Sequence, residues 1–128
     1  MSDVVPGSGK PDIFDERERA FEAKYKRDEE TGFRVDARRA TLFGRWAAAQ
    51  LGLAGEAVEA YVKAVREADL AKPNHREMLA KVLADLTAKG IATSEAALNG
   101  THESLHDEAQ KQIENELATG RLSHGSSP

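Results

Sequence analysis

The stretch FRVDARRATLFGRWAAAQLGL, residues 33–53, decides the fold. Phe33, Ala37, Ala40, Gly44, Ala47 and Leu51 recur at helical spacing and form one apolar stripe, and Leu42, Trp46, Ala49 and Leu53 form a second. Two apolar stripes on one helix can be covered only by several neighbours, so this segment reads as a central, largely buried helix. Trp46 reads as a core anchor rather than a binding platform, because it sits on one of those stripes.

Working toward the C-terminus, three shorter helices follow. Gly52 and Gly55 close the first helix and open the second, where Val58, Tyr61, Val62 and Val65 share a face and Pro73 imposes a stop. In the third, Asn74 and Glu77 have the spacing of a capping pair, Met78, Leu79, Val82, Leu83 and Leu86 fill one face, and Gly90 terminates it. Thr93 or Ser94 then caps a fourth helix whose stripe is Leu98, Leu105, Ala109, Ile113 and Leu117, with Gly100 as its weak point at a cost of ~1 kcal/mol relative to alanine. No strand-period alternation of useful length and no internal repeat is present. The expected fold is all-α: an antiparallel four-helix bundle with a long first helix.

Working toward the N-terminus, the character changes. From Asp12 to Arg39 charges of both signs dominate, with acid-first i,i+4 pairs at Asp15/Arg19 and Glu22/Lys26 that support an exposed helix. Run unbroken to Leu51, this first helix would span ~55 Å at 1.5 Å per residue, against ~25–35 Å for the others, so one end must project. The charged end lacks a stripe with which to dock, and Gly32 reads as the natural break. The resulting division is a flexible arm over residues 1–13, rich in Gly and Pro; a charged, partly ordered helix over 14–31; the bundle over 32–117; and a flexible tail over 118–128.

Composition narrows the function. The chain has 128 residues, a net charge of −4 and no cysteine. That removes disulfide scaffolds, cysteine-ligated zinc and thiol catalysis. A pI near 5.6 lacks the positive excess that nucleic-acid binding needs, and Glu77 and Asp85 argue against a helix-turn-helix around Pro73. With neither a signal core nor an apolar run of ~20 residues, the chain reads as soluble and cytoplasmic, without direct membrane insertion. The expected partner is another protein.

At residues 14–25, FDERERAFEAKY, followed by Asp28-Glu29-Glu30, Ala37-Arg38-Arg39 and Gly44-Arg45-Trp46-Ala47-Ala48, the chain resembles the zeta subunit of alphaproteobacterial ATP synthase, an intrinsic F1-ATPase inhibitor family. The likeness continues through Leu51-Gly52, Tyr61, Lys81–Leu86 and Ser94-Glu95, from Phe14 to about Glu116. The chain departs from the family pattern in its Gly/Pro-rich start, in Thr31-Gly32 and in its tail. The resemblance implies a non-enzymatic regulatory subunit, peripheral to the inner membrane through ATP synthase, monomeric when free. Its N-terminal segment would enter a catalytic interface of the F1 alpha, beta and gamma subunits and block hydrolysis. It also implies weak adenine-nucleotide binding without a dedicated cofactor, though no residue of this sequence identifies such a site. The residues expected to bind the partner are Phe14, Phe21 and Tyr25 as anchors, with Arg17, Arg19 and Lys24 as charge partners. At helix offsets of 0, 7 and 11, the three rings fall within ~40° of one another and form a narrow ridge.

Two motifs compete with that reading. His102-Glu103-Ser104-Leu105-His106 matches the H-E-x-x-H pattern of zinc hydrolases. Ala109 and Gln112 occupy the places of the glycine and third histidine in the longer metzincin pattern, and the histidines are expected on the solvated flanks of Leu105, so no metal ligand is assigned. Gly7-Ser8-Gly9-Lys10 is the end of a phosphate loop only in outline, because Val4 and Pro11 replace the residues such a loop needs. A small metal-dependent hydrolase and a bundle that binds F1 without inhibiting it are the alternatives to an inhibitor.

Overall fold

The computed structural model describes residues 13–71 and 74–120; the expected arm before Ile13, the end of the expected tail, the Gly7–Lys10 segment and Pro73 lie outside the described residues. Within them the chain is all-helical, with α1 Ile13–Gln50, α2 Glu56–Ala71, α3 Arg76–Ala88, α4 Glu95–Ser104 and α5 His106–Ala118. The long first helix is present, and it packs against each of the other four.

Helix ends follow the local chemistry. At the end of α1, Gly52 takes φ +75°, so its amide reaches the Ala49 carbonyl and that of Leu53 the Ala48 carbonyl, each at 3.0 Å. Gly90 does the same after α3, with Ile91 bonded to Leu86 and Gly90 to Thr87, both at 2.9 Å. These left-handed glycines close the last turns and let the chain reverse. Ser94 is the cap of α4, its Oγ accepting from the Ala97 amide at 3.1 Å. Asn74 is not the N-cap expected of it: the helix starts one residue later, with His75 at the N-cap, and Asn74 Oδ1 accepts from the Arg76 amide at 3.1 Å.

The helices enclose two apolar clusters. The main one joins Ala40, Phe43 and Ala47 of α1 to Val65 of α2, Met78, Leu79, Val82 and Leu86 of α3, and Leu98 of α4. Trp46 is part-buried against it and stacks on Phe43 at 5.8 Å. α2 folds back along α1 at close range, because a Cβ on Gly44 would stand 3.2 Å from the Val62 Cα. α2 and α3 run in opposite directions, as the hydrogen bonds Tyr61 to Asp85 and His75 to Asp69 require. A second, smaller cluster of Val35, Ala109 and Ile113, flanked by Leu42 and Leu117, holds α5 on α1.

Three sequence expectations change. Gly32 does not break the first helix: α1 runs through it, and a Cβ there would meet nothing within 4 Å. Phe33 is 71% exposed rather than core, while Phe43, between the two expected stripes, is fully buried. The expected fourth helix is two helices, so the described residues form five, and the interruption lies at Leu105 instead of Gly100. At the junction the Leu105 amide bonds to the His102 carbonyl at 3.3 Å, a tighter i,i+3 turn, and the Ser104 hydroxyl donates to the Thr101 carbonyl at 2.7 Å.

Candidate partner-binding site

The residues expected to meet a partner all lie on the N-terminal half of α1. The side chains of Arg19 and Lys24 are exposed, and Lys24 pairs with Asp28 at 3.2 Å, an i,i+4 contact open to solvent that adds little. The side chains of Phe14, Arg17, Phe21 and Tyr25 lie outside the described part of the structure. Among the described side chains of α1, none before Val35 is buried. From Ile13 to Arg34 the helix runs ~33 Å, and none of its described side chains is buried. Isolated helices of that length are held mainly by their root.

The root is where sequence reasoning missed the most. Arg38 donates through both Nη atoms to the Glu116 carboxylate of α5, at 2.7 and 2.8 Å, and through Nη1 to Gln112 Oε1 at 2.9 Å. The hydrogen bond to Glu116 raises the guanidinium pKa, with burial opposing it. One residue on, Arg39 belongs to a different group. Its Nη2 lies 3.5 Å from His75 Nε2, and His75 Nδ1 lies 2.7 Å from Asp69 Oδ1. A carboxylate only accepts and a guanidinium only donates, so an imidazole with its proton on Nδ1 satisfies both partners. That contact accompanies a backbone φ of +64° at His75, a left-handed conformation unusual for a side chain of this size.

His102 completes this second group and overturns its expected exposure. It is 1% exposed, edge-on to Phe43 at 5.4 Å and 4.8 Å from the His75 ring. Neither its Nε2 nor Arg39 Nε has a hydrogen-bond partner. Burial lowers the His102 pKa to about 4, reinforced by the positive charge of Arg39 and by His75 and opposed by Asp69. The fold disperses the H-E-x-x-H residues. His102 faces the core, His106 lies in the next helix beyond the break at Leu105, and Glu103 is exposed, accepting a hydrogen bond from Asn99. Among the described residues no group of three His, Asp or Glu is placed to hold a metal ion.

The buried imidazole makes stability depend on pH. A histidine whose folded pKa is depressed binds its proton more readily when unfolded, so its contribution is fully present above pH 6.5 and is lost as pH falls toward 4. The shift corresponds to about 3 kcal/mol. Urea denaturation between pH 7.5 and pH 4 is expected to show that loss in the native chain beyond what His102→Leu shows. Identical pH profiles for the two would contradict the burial argument.

Against this geometry, the family model for ATPase inhibitor subunit zeta matches residues 12–112, all of α1 through the middle of α5. The chain belongs to the ATPase inhibitor subunit zeta family. Membership gives this zeta-family chain a regulatory rather than a catalytic character and ATP synthase as its associated assembly. No match is found among curated proteins or among solved structures. The matched segment takes in the exposed half of α1, the Arg38 and Arg39 contacts and both histidines of the polar group, but Glu116 lies beyond it. Among the described residues no helix of the zeta-family chain is long and apolar enough to cross a membrane.

Proposed function

We propose that the chain binds the F1 sector of ATP synthase as a single copy and inhibits ATP hydrolysis by inserting the N-terminal half of α1 at a catalytic interface of the alpha, beta and gamma subunits. The observation that carries the proposal is a zeta-family chain whose first helix extends well beyond its own core, with no described side chain buried before Val35. A helix end rich in charge, with Phe14, Phe21 and Tyr25 spaced along one side, gains by burying those rings in a partner. The charged residues Arg17, Arg19 and Lys24 then guide approach and register more than they add affinity. Attachment is peripheral, through the ATP synthase on the cytoplasmic side of the inner membrane.

Titrating the purified chain into F1-ATPase from the same organism tests this directly. Hydrolysis is expected to fall with a stoichiometric end point, and Phe21→Ala is expected to raise the half-inhibitory concentration about 30-fold, the equivalent of one interface anchor worth ~2 kcal/mol. Capture of F1 without any slowing of hydrolysis would instead make the chain a binding bundle and defeat the inhibitory reading.

A further inference from the structure

α5 is attached differently from the other helices. Among the described residues it packs only on α1 and on its neighbour α4, and it contributes to the small cluster of Val35, Ala109 and Ile113 rather than to the main core. Among the described contacts its polar attachment to α1 includes the fork from Arg38 to Glu116 and Gln112. The Arg38 and Glu116 side chains are only 26% and 20% exposed. A two-pronged guanidinium–carboxylate contact shielded to this degree is stronger and more directional than an open surface pair.

Where α5 attaches matters more than how strongly. The main core first grips α1 at Arg39 and Ala40, through His75 and the apolar cluster. Val35 and Arg38 lie between that grip and the exposed half of α1, and both are held by α5. α5 therefore fixes the turn from which the projecting helix grows. Extending a helix from a fixed turn adds a hydrogen bond per residue, whereas starting one anew carries a large entropic cost. If α5 lets go, the last fixed turn retreats toward Arg39, and the unsupported helix lengthens by about one turn at its root.

The geometry points to Arg38, Gln112 and Glu116 as positioning residues for inhibition: by clasping α5 to the root of α1 they hold the projecting helix in its binding-competent form. This rests on the proposed inhibitory role of that helix. The clasp touches no partner; it acts by raising the fraction of chains whose helix is ready to bind, and apparent affinity scales with that fraction.

The test uses the full-length chain with Arg38→Gln, Glu116→Gln, the exchanged pair Arg38→Glu/Glu116→Arg, and Tyr61→Phe, which removes a hydrogen bond to Asp85 between α2 and α3, away from the root. Hydrogen exchange of residues 13–38 and inhibition of F1-ATPase are read together. Arg38→Gln and Glu116→Gln are expected to speed exchange along residues 13–38 and raise the half-inhibitory concentration about five- to tenfold. The exchanged pair is expected to recover much of both, and Tyr61→Phe to change neither. Native inhibition by Arg38→Gln, an exchanged pair no better than the single variants, or an equal effect from Tyr61→Phe would each overturn the inference. Failure of the clasp variants alongside loss of inhibition on removing residues 1–30 sinks this inference alone; retained inhibition without residues 1–30 sinks the functional reading beneath it.

Discussion

A chain lacking residues 1–30 is expected to fold and to leave F1-ATPase activity untouched. Folding survives because every buried described residue, from Val35 to Ile113, lies beyond the deletion, as do both apolar clusters and the Arg38 clasp. Helix content by circular dichroism should fall only by the share of the missing turns, and the thermal midpoint should stay within a few degrees. Inhibition is lost because the deletion removes all three expected anchors, Phe14, Phe21 and Tyr25, together with Arg17, Arg19 and Lys24. Interface anchors of this kind carry ~2 kcal/mol or more each, so losing three together leaves no measurable affinity. Deleting only residues 1–10 is expected to preserve or improve inhibition, since that segment carries Gly and Pro in place of anchors and leaves the helix terminus nearer the partner. Full inhibition by the chain without residues 1–30 would mean that the bundle itself is the inhibitor.

Phe43→Ala is the substitution expected to harm the fold most. Phe43 is fully buried, stacks on Trp46 and meets the edge of His102, so it joins α1 to α4 and to the polar group at the start of α3. Truncating a large ring at such a site removes the transfer free energy of the ring and leaves a cavity that rigid helices cannot collapse to fill. The expected loss is ~3–5 kcal/mol in urea denaturation, with a fall of about 10 °C or more in thermal midpoint. A loss below ~1 kcal/mol would show that the main cluster is not organised around this residue.

Much of the fold is legible in the sequence because its signals are local. The positive-φ glycines at 52 and 90, the Ser94 cap and the faces around Val62, Val82 and Ile113 all follow from residues within a few positions of one another. The errors have separate causes. Phe33 continues an apolar stripe beyond the point where the main cluster covers α1, and only the packed helices show where that cover ends. The break at Leu105 is a switch of one amide to an i,i+3 partner, the His102 carbonyl, which the apolar stripe through Leu98, Leu105 and Ala109 does not reveal. At the site, the projecting helix is readable from its charge and missing stripe, and FDERERAFEAKY is specific enough to point to the family. The root is not readable: Arg38 finds Gln112 and Glu116 across most of the chain, and the burial of His102 depends on Phe43 of α1 and on His75, just before α3. No spacing rule links residues so far apart.

The central claim is that the N-terminal half of α1, and not the bundle, enters the F1 interface. Hydrogen exchange of the full chain with and without F1-ATPase tests it most directly, because α1 amides from Ile13 to Glu30 have no described covering side chains in the free chain and would be enclosed in the complex. The account predicts strong slowing of exchange across residues 13–30 on binding, with α2, α3 and α4 unchanged. Slowing confined to those bundle helices, with residues 13–30 exchanging as in the free chain, would contradict it.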